Sequence, residues 1–174
     1  MRRVCVIGGN GAGKTEFSRR LAELTGLPLV HLDALYWRDN WQPAPREEFL
    51  ALLQAELDKP AWILDGNMKR TLPHRLTYCD TVIWLDYSAP VCFCGAVKRI
   101  IRNYGRTRPD MGGNCPESFD KQKRQFLRSV WTFNRKNRPD FEQMTAEAEE
   151  RGVTVIRLKN RRQGEKVLRE IGQK

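Results

Sequence analysis

The sequence predicts an α/β protein built around a parallel sheet. Five short apolar stretches with the character of strands alternate with longer stretches in which apolar residues recur at helical spacing. This alternation is typical of parallel strands joined by helices, which cover both faces of the sheet and so make three layers. The chain has 174 residues, of which 40% are hydrophobic and 30% are charged, so we expect a single soluble domain.

Each predicted strand is short and is followed by glycine or by a polar residue. The first, Arg3-Val4-Cys5-Val6-Ile7, is almost continuously apolar and rich in β-branched residues, which indicates burial on both faces. The other four are residues 29–32, 62–64, 81–85 and 153–158. Because the carboxyl ends of parallel strands share one edge of the sheet, we expect ligands to bind beyond that edge.

The predicted helices connect these strands. They are residues 14–24, 46–57, 91–104, 119–150 and 163–171. In the fourth we expect a break near Arg138-Pro139, because proline lacks the backbone N–H and restricts the residue before it. Residues 39–45 and 106–116 are predicted to be loops.

A glycine-rich run lies between the first strand and the first helix. The run Gly8-Gly9-Asn10-Gly11-Ala12-Gly13-Lys14-Thr15 matches the pattern G-x-x-x-x-G-K-[ST]. Glycines let successive backbone N–H groups point at phosphate oxygens, and the helix adds the positive end of its dipole. We expect this run to cradle the phosphates of ATP, with Lys14 reaching the β and γ phosphates and Thr15 on Mg²⁺. The alternative, a glycine-rich turn with an incidental Lys-Thr, is less consistent with the strand before the run and the helix after it.

Two aspartates follow predicted strands at the edge where ligands are expected. Asp33 comes after the second strand and Asp65 after the third. One could complete the Mg²⁺ shell and the other could orient or deprotonate an acceptor hydroxyl, and the sequence leaves open which does which. Position in the sequence favours Asp65 for the metal and Asp33 for the acceptor. Each could instead be a helix cap or a turn former.

Positive charge is concentrated in one part of the chain. Residues 98–138 hold twelve Lys and Arg but only Asp110, Glu117 and Asp120 as acids, a difference of +9 out of a net +10. We expect a lid-like insertion at about residues 99–128, in which Arg102, Arg106 and Arg108 stabilise the transferring phosphoryl group. A solvated basic face is the alternative for individual residues, and nucleic acid is a second polyanion that such a segment could bind.

The remaining composition limits other functions. Five cysteines include no Cys-x-x-Cys pair, and the two histidines stand alone, so free buried thiols are favoured over a zinc site. No apolar run approaches the length of a membrane span, and we expect a cytoplasmic protein that does not bind membranes.

These motifs in combination resemble the adenylate kinase-like P-loop family, and more narrowly its DNA topology modulation (FlaR-like) members. The resemblance extends over most of the chain and is carried by residues 7–15, 31–37, 62–67, 81–86, 105–110 and 134–139. It implies a five-stranded parallel sheet in the order 2-3-1-4-5. It also implies that Arg70, which follows Asp65-Gly66, binds an acceptor phosphate, and that Arg102, Arg106 and Arg108 are lid arginines. Asp33 resembles the aspartate that shikimate-type kinases have after the second strand.

The chain departs from the adenylate kinase pattern at one motif. Where adenylate kinases have Phe-Pro-Arg after Asp-Gly, this chain has Asn67-Met68-Lys69. We expect Arg128 and Arg135 to join Arg70 in binding the acceptor.

The leading hypothesis is a kinase that uses ATP and Mg²⁺ on a nucleotide or another small molecule, as a monomer or homodimer. The alternatives are a nucleotide-dependent DNA-binding protein that affects DNA topology, and a plain nucleotide hydrolase.

Overall fold

The computed structural model describes residues 1–173, and within them the chain forms one five-stranded parallel sheet and one small hairpin. The strands are β1 (Arg3–Gly8), β2 (Leu29–His31), β3 (Trp37–Arg38), β4 (Gln42–Pro43), β5 (Trp62–Asp65), β6 (Thr81–Leu85) and β7 (Thr154–Leu158). The antiparallel pair β3–β4 is the hairpin. The large sheet has the order β2-β5-β1-β6-β7. Counted among themselves in chain order, its five strands have the predicted order 2-3-1-4-5.

Helices cover both faces of the large sheet. They are α1 (Lys14–Thr25), α2 (Leu32–Tyr36), α3 (Arg46–Leu57), α4 (Leu72–Leu76), α5 (Ala89–Arg102), α6 (Lys121–Glu150) and α7 (Arg161–Gly172). Alternate residues of β1 face opposite layers: Cys5 and Ile7 pack with α3 and α6, while Val4 and Val6 pack with α1 and α7. The predicted three-layer α/β/α fold is confirmed.

The parallel register brings polar strand ends together. Asp65 is level with Val6 on one side and with His31 on the other, and Gly8 is level with Leu85. The glycine-rich run, β2 and β5 therefore end at the same edge of the sheet. This is the edge at which open parallel sheets bind ligands.

Helix α6 is continuous, so the predicted break at Pro139 is wrong. The helix runs for 30 residues through the proline. Proline removes one helical hydrogen bond, but buried side chains anchor the helix on both sides of it: Val130 before, and Phe141 and Ala148 after. Packing against the sheet therefore holds the helix together across the missing bond.

Local structure also differs from the prediction around β2. The strand ends at His31, and Leu32 and Asp33 begin the short helix α2. The predicted loop at residues 39–45 contains β4, and α4 was not predicted at all. These elements have only two to five residues, too few for hydrophobic periodicity to develop.

The α5–α6 loop, residues 103–120, lies against residues 34–41, which we call the aromatic segment. The Asn40 amide donates to the carbonyl of Asn114 at 2.8 Å, and the Trp41 indole N–H donates to the carbonyl of Pro116 at 3.0 Å. A Cβ atom on Gly112 would overlap the carbonyl oxygen of Ala34, so backbone meets backbone there. Asn40 and Trp41 have φ values of 56° and 59°, which turn the aromatic segment back toward the loop.

Across residues 1–173, each helix is either too short or too polar to pass through a lipid bilayer.

Candidate active site

The glycine-rich run Gly8–Thr15 forms the turn from β1 into α1. Gly8, Gly11 and Gly13 have φ values of 144°, 83° and 92°, which L side chains rarely adopt. Gly11 also lies so close to α5 that a Cβ atom would overlap the carbonyl oxygen of Cys92, whereas a Cβ atom on Gly13 would meet no other part of the described chain within 4 Å. Glycine is therefore required for close packing at Gly11 and for backbone conformation at Gly13.

Lys14 lies under this turn, with its ammonium group 3.2 Å from the carbonyl oxygen of Gly9. Burial lowers the pKa of Lys14, while the negative charges of Asp65 and Asp33 oppose that effect. An ammonium group held beside backbone N–H donors is suited to contact phosphate oxygens.

Thr15 stands between two carboxylates. Its hydroxyl donates to Oδ2 of Asp65 at 3.0 Å and lies 3.3 Å from Oδ2 of Asp110. Oδ1 of Asp65 is buried, and no group of residues 1–173 forms a hydrogen bond with it. A hydroxyl beside an unpartnered carboxylate oxygen is a donor set that fits Mg²⁺, which is commonly bound through one or two carboxylates together with phosphate and water oxygens. Among the described residues no cluster of three His, Cys, Asp or Glu could hold a metal alone, so phosphate and water would have to complete the shell.

His31 is a site residue that the sequence analysis did not select. Its Nδ1 lies 3.0 Å from Oδ2 of Asp65. Burial lowers the pKa of His31, but the hydrogen bond and charge of Asp65, with Asp110 and Asp33 nearby, outweigh burial and raise it overall. Its place at the end of a strand, two residues before Asp33, was the available clue.

Glu117 organises the basic side chains near the site. This carboxylate is fully buried, and three cations surround it: Lys123 at 2.6 Å, Arg108 at 3.4 Å and Arg99 at 3.5 Å. Burial and the neighbouring Arg108 lower the pKa of Arg99. The three cations come from α5, the α5–α6 loop and α6, so Glu117 ties these three elements together.

Arg108 also contacts the aspartates of the site. Its guanidinium donates to Asp110 at 2.6 Å and lies 3.8 Å from Asp33. Burial raises the pKa of Asp33, although the charges of Arg108 and Lys14 oppose the rise. The carboxylate of Asp33 is nevertheless 42% exposed, so a ligand can reach it.

Two cavities meet at this point. The larger, of about 800 Å³, runs from residues 11–17 past Arg102 to α7, and the smaller, of about 490 Å³, lies between Asp33, Asp65 and the aromatic segment. Five residues belong to the walls of both: Lys14, Thr15, Arg99, Arg108 and Asp110. A ligand in either cavity that reaches this shared wall would contact side chains that also line the other cavity.

The predicted site residues separate into two groups. Lys14, Thr15, Asp33, Asp65 and Arg108 line one or both cavities, and Arg102 lines the larger one. The others are exposed and line neither cavity: Arg70, Arg106, Arg128 and Arg135. The roles assigned to these four arginines stay predictions.

Several residues with a place in the site were missed. Besides His31, they are Asp110, Glu117, Lys123 and Arg75. Arg75 is completely buried and donates to the carbonyls of Gly66 at 3.2 Å and Asn67 at 2.7 Å, which fixes the turn after Asp65. The scarcity of acids in residues 98–138 could have drawn attention to Asp110 and Glu117.

Comparison with known proteins identifies the fold. No protein-family model matches the chain, and no curated protein matches it. Among solved structures, shikimate kinase from Acinetobacter baumannii in complex with shikimate has a TM-score of 0.58 at 17% identity, covering 98% of this chain and 93% of that chain. A protein from Chloroflexus aurantiacus J-10-fl, provisionally assigned as a kinase, has a TM-score of 0.55 at 16% identity, covering 99% of this chain and 97% of that chain. The chain thus has the fold of P-loop kinases.

Proposed function

We propose that the protein is an ATP-dependent phosphotransferase that phosphorylates a small molecule. ATP occupies the larger cavity with its phosphates on residues 8–15, and the acceptor occupies the smaller cavity. The observation that carries this proposal is the shared wall of Lys14, Thr15, Arg99, Arg108 and Asp110. A phosphoryl group that crosses from one cavity to the other would stay in contact with these side chains throughout.

The side chains at the boundary have complementary roles. Lys14 binds the β and γ phosphates, and Arg108 neutralises charge on the phosphoryl group as it moves. Asp33, 3.8 Å from Arg108, orients the acceptor hydroxyl and takes its proton. Burial raises the pKa of Asp33, which brings its basicity closer to that needed to accept this proton at neutral pH.

Thr15 and Asp65 would hold Mg²⁺. When bound, the ion neutralises phosphate charge and fixes the orientation of the phosphates. The contact between Asp65 and His31 at 3.0 Å keeps the carboxylate turned toward Thr15. The α5–α6 loop, docked on the aromatic segment, excludes water from the smaller cavity.

The test is phosphoryl transfer from ATP to a panel of nucleotides and hydroxylated metabolites by the wild type and three variants. Lys14→Ala should abolish transfer and weaken nucleotide binding. Asp33→Asn should lower kcat by about 10²- to 10⁴-fold while leaving nucleotide affinity unchanged. Lys136→Ala is the control, because Lys136 is exposed and lines neither cavity. The proposal fails if the wild type transfers to no acceptor, or if Lys14→Ala keeps whatever transfer is found.

A second candidate function is nucleotide-dependent DNA binding, which the resemblance to DNA topology modulation proteins implies. One observation favours it: Lys121, Arg124, Arg128 and Arg135 are exposed on α6 at spacings that put them on one face, with the exposed Trp131 beside them. Such a stripe can follow a phosphate backbone, and its binding would weaken steeply with salt. Gel-shift titration of duplex DNA with and without ATP tests it, and no binding at low salt would exclude it.

A further inference from the structure

The smaller cavity has charged walls, but its charges balance. Its lining includes four cations, Lys14, Arg99, Arg108 and Lys123, and four carboxylates, Asp33, Asp65, Asp110 and Asp120. Glu117 adds a fifth carboxylate immediately behind the cations. A cavity that recognised an anionic acceptor would be expected to have cations in excess.

The cations of this wall already have partners. Lys123 is bound to Glu117 at 2.6 Å and Arg108 to Asp110 at 2.6 Å, and both side chains are about nine-tenths buried. Arg99 faces Glu117 at 3.5 Å. The ammonium group of Lys123 also lies 3.9 Å from the ring centre of Trp41. An anionic acceptor would therefore compete with these carboxylates for all three cations.

His31 and Lys14 do not change this balance. A positive charge on His31 is paired with Asp65 at 3.0 Å. Lys14 stands at the glycine-rich turn, where the proposed function places the ATP phosphates. The arginines suggested by the sequence for the acceptor, Arg70, Arg128 and Arg135, lie outside the wall.

Asp33 is more accessible than the three cations that surround Glu117. Its side chain is 42% exposed, compared with 25% for Arg99, 11% for Lys123 and 9% for Arg108. The half-buried rings of Tyr36, Trp37, Trp41 and Phe126 line the same cavity as Asp33. Carboxylates accept hydrogen bonds from hydroxyl groups, and flat aromatic faces pack against rings of similar size.

We propose that the acceptor is an uncharged, hydroxylated ring compound, a sugar or a nucleoside, and that anionic analogues are rejected. This inference rests on the proposed kinase function, because it concerns the acceptor side of the same site. Asp33 binds the hydroxyl that is phosphorylated, the aromatic segment packs against the ring, and Glu117 keeps the basic side chains from attracting a carboxylate or phosphate group.

The test uses pairs of compounds that differ by one anionic group. The pairs are methyl shikimate and shikimate, glucose and glucuronate, and each common nucleoside with its 5′-monophosphate. In at least one pair the neutral member should be phosphorylated with a kcat/KM at least about tenfold higher than its anionic partner. The pair that responds distinguishes a sugar from a nucleoside. A preference for the anionic member in the pairs that react would overturn the inference.

Binding separates this inference from the kinase proposal. The same pairs are titrated calorimetrically into the protein saturated with a non-hydrolysable ATP analogue. If a neutral member binds more tightly than its anionic partner but is never phosphorylated, the kinase proposal fails and the charge selectivity stands. If no neutral member binds, the inference is wrong.

Glu117→Gln provides a gain-of-function check. Without this charge, Arg99 and Lys123 lose their carboxylate partner while Arg108 keeps Asp110, so the preference for the neutral member should fall by about tenfold. Glu142→Gln is the matched control, because Glu142 is an exposed carboxylate that pairs with Arg157 away from both cavities. Circular dichroism verifies that both variants are folded. A folded Glu117→Gln protein with unchanged selectivity would contradict the role of Glu117, and an unfolded one leaves the wild-type pairs as the deciding measurement.

Discussion

At the scale of single residues, Asp65 shows how one carboxylate serves two neighbours. Its Oδ2 accepts from Thr15 and contacts His31, both at 3.0 Å. Thr15 and Asp65 could be selected from the sequence because each stands in a recognisable motif. His31 could not be paired with Asp65 in this way, because their contact depends on β2 lying beside β5.

Replacing Asp65 should change the titration of His31. In Asp65→Asn, burial continues to lower the pKa of His31, and the hydrogen bond and charge that raise it most are gone while Asp110 and Asp33 remain, so the pKa should fall relative to the wild type. NMR titration of the imidazole measures it, and the only other histidine, His74, serves as an internal reference. An unchanged His31 titration would show that Asp65 is not its main partner.

The same contact makes stability depend on pH. The pKa of His31 is higher in the folded protein than in the unfolded chain, where it is about 6.5. The protonated imidazole therefore contributes fully to the free energy of unfolding at pH values below about 6.5. That contribution is lost as the pH rises through the folded-state pKa. Urea unfolding at a series of pH values should show this loss in the wild type, and the loss should be smaller in Asp65→Asn.

Two glycines of the turn before α1 provide a matched comparison. Gly13→Ala places a side chain at positive φ in open space and should cost about 1–2 kcal/mol of strain. Gly11→Ala adds an overlap with the backbone of α5 to a similar strain, so it should cost more, about 3 kcal/mol or above. Urea unfolding gives both values, and equal losses would contradict the packing argument.

At the scale of elements, the sequence predicts the long helices and the strands of the large sheet but not the short connections. Strands β1 and β6 are apolar after their first residue, and α5 has clear helical spacing, so local pattern is sufficient there. The break expected in α6 is absent because tertiary packing outweighs the local effect of Pro139. The hairpin β3–β4 depends on contacts with the distant α5–α6 loop, which no local pattern reports.

That contact can be tested at Gly112. Its φ lies outside the left-handed region, so Gly112→Ala is free of backbone strain, but the new Cβ would overlap the carbonyl of Ala34. The overlap should push the α5–α6 loop away from the aromatic segment and lower the free energy of unfolding by about 1–3 kcal/mol. Hydrogen exchange should then increase in residues 106–118 and 36–41. Mass-spectrometric exchange measures both segments. Gly152→Ala is the control for a general loss of stability, since its φ of 89° makes the substitution strained while the new Cβ would meet no atom of the described residues within 4 Å. Unchanged exchange at both segments in Gly112→Ala would count against the docking contact.

At the scale of the whole molecule, the charge distribution has a different meaning in the fold than in the sequence. The basic excess in residues 98–138 suggests one exposed surface. In the fold, Arg99, Arg108 and Lys123 turn inward to Glu117 and Asp110, and Arg138 contacts Asp86 at 2.8 Å. The sequence shows which segment holds the basic residues, but it does not show which of them are buried and which are exposed. That depends on how α5 and α6 pack against each other.

Asp86 joins three parts of the molecule and should control acid stability. It lies just after β6 and contacts Arg138 of α6, Arg157 of β7 and Lys159. Burial raises the pKa of Asp86, but hydrogen bonds from Lys159, Arg157 and Arg138 outweigh burial and lower it overall. In the unfolded chain the pKa of Asp86 is about 3.9. The carboxylate therefore stabilises the fold at pH values above about 3.9, and this stabilisation is lost as the pH falls through the lower pKa of the folded state.

Asp86→Asn should accordingly cost about 1–3 kcal/mol at pH 7, and the difference from wild type should shrink below about pH 4. Urea unfolding between pH 3 and pH 7 checks both statements. Asp140→Asn is a suitable control, because this half-exposed carboxylate pairs only with the exposed Lys69 in the described residues. A difference that persists undiminished at the lowest pH would mean that Asp86 acts through packing and not through charge.

The wall shared by the two cavities has a thermodynamic consequence. Whatever binds on one side sets the charge and position of Lys14, Arg99 and Arg108 for whatever binds on the other. The free energies of the two binding events are then linked in a closed cycle. The factor by which a nucleotide changes the Kd of an acceptor must equal the factor by which that acceptor changes the Kd of the nucleotide. We therefore expect the two compartments, which share five side chains, to behave as a single cooperative unit.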